Sequence, residues 1–183
     1  EGESLKLLNE QTVELTPYYG VVCDGDTPSC IAGIMGGEKS SVSETTTDLF
    51  IEAAFWQQLA IQGRCRKLNF STDAAYRFER GVDFGTNAQH MEYVTRLVLE
   101  ICGTPETRVG PVDDQIVSLP ERKPVTMRVA RCLKVVGMDI PVEAMHNTFT
   151  RLGFEYTFDG EVFTVQAPSH RFDIEIEEDL IEE

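Results

Sequence analysis

Gly110-Pro111-Val112-Asp113-Asp114-Gln115-Ile116-Val117-Ser118-Leu119-Pro120-Glu121-Arg122-Lys123-Pro124 divides the chain. Its three X-Pro steps push the backbone towards extended and turn conformations and away from helix, so the stretch reads as a linker. With 183 residues in all, there is room for one domain on each side of it. The expectation is an α+β chain with a domain over residues 1–110, a linker over 111–123 and a smaller α+β domain over 124–183.

Working back from the linker, residues 84–102 carry Met91, Val94, Val98 and Ile101 at helical spacing, and Gly103 stands where a C-terminal glycine cap belongs. Ser71-Thr72-Asp73 offers a cap for a short helical turn through residues 76–79, and residues 57–68 read as a helix interrupted by Gly63. Leu49-Phe50-Ile51-Glu52-Ala53-Ala54-Phe55 is apolar on both faces apart from Glu52 and predicts a buried strand. Residues 20–24 and 30–35 read as strands joined by the turn Gly25-Asp26-Thr27-Pro28. Alternating residues 4–8 and 11–15 predict a hairpin around Asn9-Glu10.

Forward from the linker, the pattern predicts a strand (125–129), helices over 130–136 and 142–152, the second closed by Gly153, a β pair (155–158 and 162–166) and a terminal helix from about Ile174. The chain begins at a strand and stops within a charged helix, so it reads as cut at both ends.

Sixteen basic against 31 acidic residues leave a net charge of -15, which repels phosphate at long range and disfavours a free-standing nucleic-acid-binding domain. There is no signal-peptide pattern at the start and no apolar run long enough for a membrane span, so a soluble, cytoplasmic protein is expected. Cys23, Cys30, Cys65, Cys102 and Cys132 are odd in number, widely spaced and without C-x-x-C, which suits reduced core thiols. His90, His146 and His170 read as surface or helix-flank residues.

Glu52 stands out chemically. A carboxylate in an apolar strand is costly to desolvate, and it calls either for an ion pair with Arg64, Arg77 or Arg80 or for a role in reading a ligand. Gly33-Ile34-Met35-Gly36-Gly37 is a strand-to-loop turn or a place where a ligand approaches backbone closely. Seven acids crowd Asp173-Ile174-Glu175-Ile176-Glu177-Glu178-Asp179-Leu180-Ile181-Glu182-Glu183 with no base. They form a solvated helix face or ligands for a hard cation such as Mg²⁺, for which helical spacing selects Glu175, Glu178, Asp179 and Glu182. No P-loop, nucleophile elbow or His-Glu-x-x-His motif is present.

Together, Gly33 to Glu38, Ile51-Glu52-Ala53-Ala54-Phe55, Gly63-Arg64-x-Arg66, Ser71-Thr72-Asp73-Ala74-x-x-Arg77-Phe78-Glu79-Arg80-Gly81-Val82-Asp83 and the run from Ala167-Pro168-Ser169-x-Arg171 to Leu180 resemble the bacterial phenylalanine-tRNA ligase beta subunits, in order and over nearly the whole chain. The resemblance implies that residues 1–110 are the C-terminal half of a tRNA-editing domain, a mixed sheet with helices that hydrolyses tyrosine wrongly attached to tRNA(Phe). It also implies that 124–183 are a small winged-helix-like domain, truncated in its last helix. By position, Glu52 would read the tyrosine hydroxyl, Thr72 and Ala74 would line the pocket, and Gly33 and Gly36 would let substrate lie against backbone. A Mg²⁺ site shared with an alpha subunit would take Asp173, Asp179, Glu182 and Glu183, which differs from the choice made by spacing. The implied assembly has two alpha and two beta chains. ATP and phenylalanine would be used by the whole enzyme and not bound here, and this stretch alone would be inactive. The family's pocket histidine lies upstream of Glu1, and Asn69-Phe70 replaces the usual Leu-His step. A non-catalytic scaffold or tRNA-docking module is the alternative.

Overall fold

A computed structural model describes residues 2–183; Glu1, where the first expected domain begins, lies outside them. The chain forms two compact units, the first ending at Asp114 and the second spanning Gln115–Glu183. Both are mixed α+β, and every strand pairing among the described residues is antiparallel, so the mixed sheet expected of the first unit is replaced by small antiparallel ones.

The first unit opens with the hairpin of β1 (Ser4–Lys6) and β2 (Thr12–Glu14), in register from Ser4 opposite Glu14 to Lys6 opposite Thr12. The reversal places Glu10 at a φ of 69°, a left-handed conformation that glycine would adopt with less strain. A three-stranded sheet follows, β3 (Val21–Asp24), β4 (Thr27–Ile31) and β5 (Met35–Gly36), ordered β3-β4-β5. The turn between β3 and β4 is tighter than the sequence suggests: Thr27 and Pro28 already belong to β4, and Gly25 supplies the positive φ. Leu7 bridges to Gly37, and Lys6 pairs with Glu38 at 2.6 Å, fastening the hairpin to the end of β5.

The apolar run 49–55 forms no strand in the described structure, because no other strand offers it a hydrogen-bonding edge. The helix expected over 57–68 is two short ones, α1 (Gln58–Ile61) and α2 (Arg64–Leu68), broken where Gly63 turns left-handed at φ 75°. Asn69 closes α2 at φ 58°, a conformation asparagine tolerates better than most residues. Thr72 caps α3 (Asp73–Arg80) by accepting the N–H of Ala75 at 3.1 Å. A 3-10 turn, Phe84–Thr86, leads into α4 (Asn87–Cys102), which has no buried residue. Gly103 ends α4 in an extended conformation, φ -69°, instead of the left-handed cap expected there. The core of this unit is Leu5, Leu7, Ile31, Ile34, Ile61, Cys65 and Ala75.

The second unit contains β6 (Val125–Arg128), α5 (Val129–Val136), α6 (Val142–Arg151), β7 (Glu155–Phe158), β8 (Val162–Gln166) and α7 (Glu177–Glu182), with sheet order β6-β8-β7. Val125 and Met127 alternate inward from β6, and Phe163 and Val165 from β8. They meet Met145 and Phe149, four residues apart on α6. α7 starts at Glu177, three residues later than expected, and its Leu180 closes the core. The buried thiols Cys65 and Cys132 fit the core reading, whereas Cys23 and Cys102 lie at the surface.

Candidate functional site

In the first unit a hollow of about 600 Å³ opens between the β4–β5 turn, the extended stretch around Glu52, the start of α3 and the start of α4. That size lies within the roughly 300–1,000 Å³ of small-molecule sites. Four of the five pocket residues expected from the sequence, Gly33, Gly36, Glu52 and Ala74, line it. Thr72 does not. Its hydroxyl donates to the Ile34 carbonyl at 2.9 Å while capping α3, so it anchors α3 to the β4–β5 turn and faces a neighbouring hollow.

Packing gives the glycines a reason of their own. Gly33 sits at φ +65°, and a Cβ there would lie 2.9 Å from both Ile61 Cδ1 and Trp56 Cδ1. At Gly36 a Cβ would meet Leu8 Cδ1 at 3.1 Å, and at Gly37 it would meet the Ser29 carbonyl oxygen at 2.6 Å. The turn is thus shaped so that core side chains can close against it.

Glu52 departs from its expected setting in one respect. It is exposed, because the stretch carrying it is not walled in by neighbouring strands. Its carboxyl is nonetheless raised from the ordinary value by partial burial, and its charge adds to the upward push that burial gives the Cys30 thiol. None of the three candidate arginines pairs with it. Arg64 Nη1 donates to the Gln62 carbonyl, Arg77 Nη1 to the Asp73 carbonyl and Arg80 Nη1 to the Tyr76 carbonyl. Among the described residues Glu52 is a carboxylate without an ion-pair or hydrogen-bond partner, at the mouth of an otherwise largely apolar hollow.

The sequence gave no warning of three further wall residues. The indole N–H of Trp56 is buried with no hydrogen-bond partner, so it is a spare donor. Asn87 and His90 also line the hollow. They are three residues apart at the start of α4 and so share a face, a pairing that could have been noticed beside the Asp83 cap. His146, by contrast, is a packing residue: Nδ1 lies 3.0 Å from the Tyr156 hydroxyl, and the ring packs edge-on to Phe158.

The acidic tail of the second unit is neither a solvated face nor a ligand cage. Glu177 receives Arg128 through Nε at 3.0 Å, Nη2 at 2.6 Å and the backbone N–H at 2.8 Å, and these bonds draw its carboxyl down to about 2. Glu178 takes Arg131 Nη2 at 2.8 Å. Asp179 Oδ2 accepts the backbone N–H groups of Glu175 and Ile176, both at 2.8 Å, as the cap of α7. Glu175 precedes the helix, so the stripe chosen by spacing does not exist. Of the carboxylates chosen by resemblance, Asp173 and Glu183 are both bound to Arg171, Asp179 is occupied as a cap and Glu182 is exposed. Among the described residues no three metal-binding side chains converge, so the set as arranged does not fit a Mg²⁺ ion.

Comparison with known proteins places the two units in order. Residues 1–103 match the model of the B3/4 domain family, and residues 125–183 match that of the tRNA synthetase B5 domain. The whole chain is 56% identical over 182 residues to the phenylalanine--tRNA ligase beta subunit of Burkholderia mallei (strain ATCC 23344). It is 53% identical over 182 residues to that of Ralstonia nicotianae and 52% identical over 183 residues to that of Bordetella pertussis. In each case it spans 22% of the relative's length.

Proposed function

Because the chain belongs to the B3/4 domain family and continues into a match to the tRNA synthetase B5 domain, we propose that it is part of a phenylalanine-tRNA ligase beta subunit whose first unit selects mischarged tyrosine for removal from tRNA(Phe). The observation that carries this reading is Glu52, a carboxylate with no protein partner at a hollow of side-chain size. A phenol placed in the hollow donates its hydroxyl to Glu52. A phenylalanine ring in the same place leaves the carboxylate desolvated and unpaired. Sites that read a hydroxyl in this way discriminate by roughly 10⁴ to 10⁵. Ala74 leaves room for the ring, and the β4–β5 turn with Gly33 and Gly36 forms the opposite wall.

In this mechanism Glu52 supplies selection and not base catalysis. The ester is cut by water positioned by backbone and tRNA groups. The winged-helix likeness of the second unit, the alpha-subunit partner in a two-plus-two assembly, the use of ATP and Mg²⁺ by the whole enzyme and a cytoplasmic setting belong to the same proposal, and they rest on the relatives. No step is routed through a metal. No helix among the described residues is long and apolar enough to cross a membrane.

The test is deacylation of Tyr-tRNA(Phe) by a complete ligase carrying this chain. Glu52→Ala is expected to lose most of the discrimination between tyrosine and phenylalanine while still charging phenylalanine. Unchanged clearance of tyrosine by that variant would overturn the assignment and leave the docking-module reading.

A further inference from the structure

The carboxylates that the resemblance assigns to a Mg²⁺ ion already hold a cation belonging to the protein. Arg171 grips Asp173 with a two-pronged contact, Nε to Oδ1 at 3.0 Å and Nη2 to Oδ2 at 2.6 Å, and the same Nη2 also donates to Glu183 Oε1. One guanidinium thereby joins the segment before α7 to the residue just after it. The arrangement is not a chance surface contact. The Arg171 side chain is only 23% exposed and that of Glu183 only 18%. The guanidinium lies over the Phe154 ring, 5.6 Å from its centroid, and the Arg171 carbonyl accepts Arg122 Nη2. The planar fork, the aromatic support and the fixed backbone hold the charge where a hard cation bridging Asp173 and Glu183 would sit.

We propose that Arg171 is the resident cation of this acidic group, so that a divalent metal can take Asp173 and Glu183 only by displacing its guanidinium. Mg²⁺ needs near-octahedral oxygen coordination at short range, and Arg171 offers donors where the ion requires acceptors. Guanidinium and metal therefore exclude one another at the same oxygens. Metal uptake frees the Arg171 side chain, and metal loss returns it to the two carboxylates. The exchange couples occupancy by metal to the fastening of α7 and involves no bond making or breaking beyond ion pairing. It does not rest on the tyrosine-selecting reading, which concerns residues of the other unit.

The experiment is calorimetric titration of this chain with MgCl₂ at constant ionic strength, for the parent, Arg171→Gln and Arg171→Lys, each checked for folding by circular dichroism. Removing the competing fork is expected to strengthen Mg²⁺ binding by about tenfold or more, within the range by which groups next to a metal's ligands alter its affinity. The gain should vanish when Asp173→Asn is added. In the parent, NMR of the Arg171 Nε–H should show that resonance moving as Mg²⁺ is added. The proposal is overturned by folded variants that bind Mg²⁺ no better than the parent, by a gain that survives Asp173→Asn, or by Mg²⁺ binding to the parent that leaves the Arg171 resonance in place. Absence of Mg²⁺ binding in every folded form overturns it equally, since freed carboxylates would then not be ligands.

Discussion

Gly33 shows how a single residue can serve both packing and site. Its φ of +65° is one that side chains with a Cβ rarely adopt, and the space a Cβ would need is filled by Ile61, Trp56 and Phe78. Ile61 is core, whereas Trp56 and Phe78 also form the wall of the hollow. Gly33→Ala should therefore destabilise the chain by roughly 1–3 kcal/mol through strain and overpacking, and should also push the wall inward. Urea denaturation measures the first effect, and a stability equal to the parent's would contradict this account of the turn. Glu52 presents the opposite case. Its partly desolvated charge contributes nothing visible to the fold, as expected of a group kept for a ligand.

At the scale of elements, α7 depends on charge more than its short length suggests. Its six residues would not hold a helix alone, and Leu180 is its one buried side chain. The Arg128–Glu177 and Arg131–Glu178 pairs attach it to β6 and α5. Arg128 holds the folded Glu177 carboxyl at about 2, below its ordinary 4.5, so this group binds a proton more readily in the unfolded chain. Its stabilisation is complete above about 4.5 and is lost as the pH falls from there towards 2. Glu177→Gln should abolish that dependence, so the parent's advantage over it at pH 7 shrinks as acid is added, as read from denaturation midpoints at both pH values. An advantage that persists unchanged at pH 2 would rule out the pair as its source.

These contacts also mark the limit of what the sequence discloses. The β1–β2 hairpin, the Thr72 cap and the end of α6 near Gly153 are local: the residues that decide them lie within a few positions of one another. The partners of Arg128 and Glu177 are 49 residues apart, and nothing in a run of acids reveals which arginine will meet it. Glu52 was legible as out of place but not in its exposure. That depends on whether residues 49–55 find a strand to pair with, a question of topology and not of pattern. Trp56, Asn87 and His90 join the site only because the start of α4 is brought beside the β4–β5 turn.

For the whole molecule, the two family matches leave only residues 104–124 unassigned, and most of that interval lacks regular structure. Over this frame lies a net charge of -15, with the buried residues supplying none of it. Like charges spread over a surface repel most strongly in the folded chain, and added salt screens that repulsion over a Debye length of about 10 Å at 0.1 M and about 3 Å at 1 M. The ion pairs act in the other direction, since screening weakens them as well. They are few beside the excess of acid, the closest ones are held by hydrogen bonds at contact distance, and exposed pairs are worth only about 0 to 1 kcal/mol each. Repulsion should therefore dominate, and the thermal midpoint at pH 7 should rise as NaCl goes from about 0.05 M to about 0.5 M. A midpoint that falls over that range would mean that the arginine-carboxylate contacts around α7, and not the acidic surface, control the electrostatics of the chain.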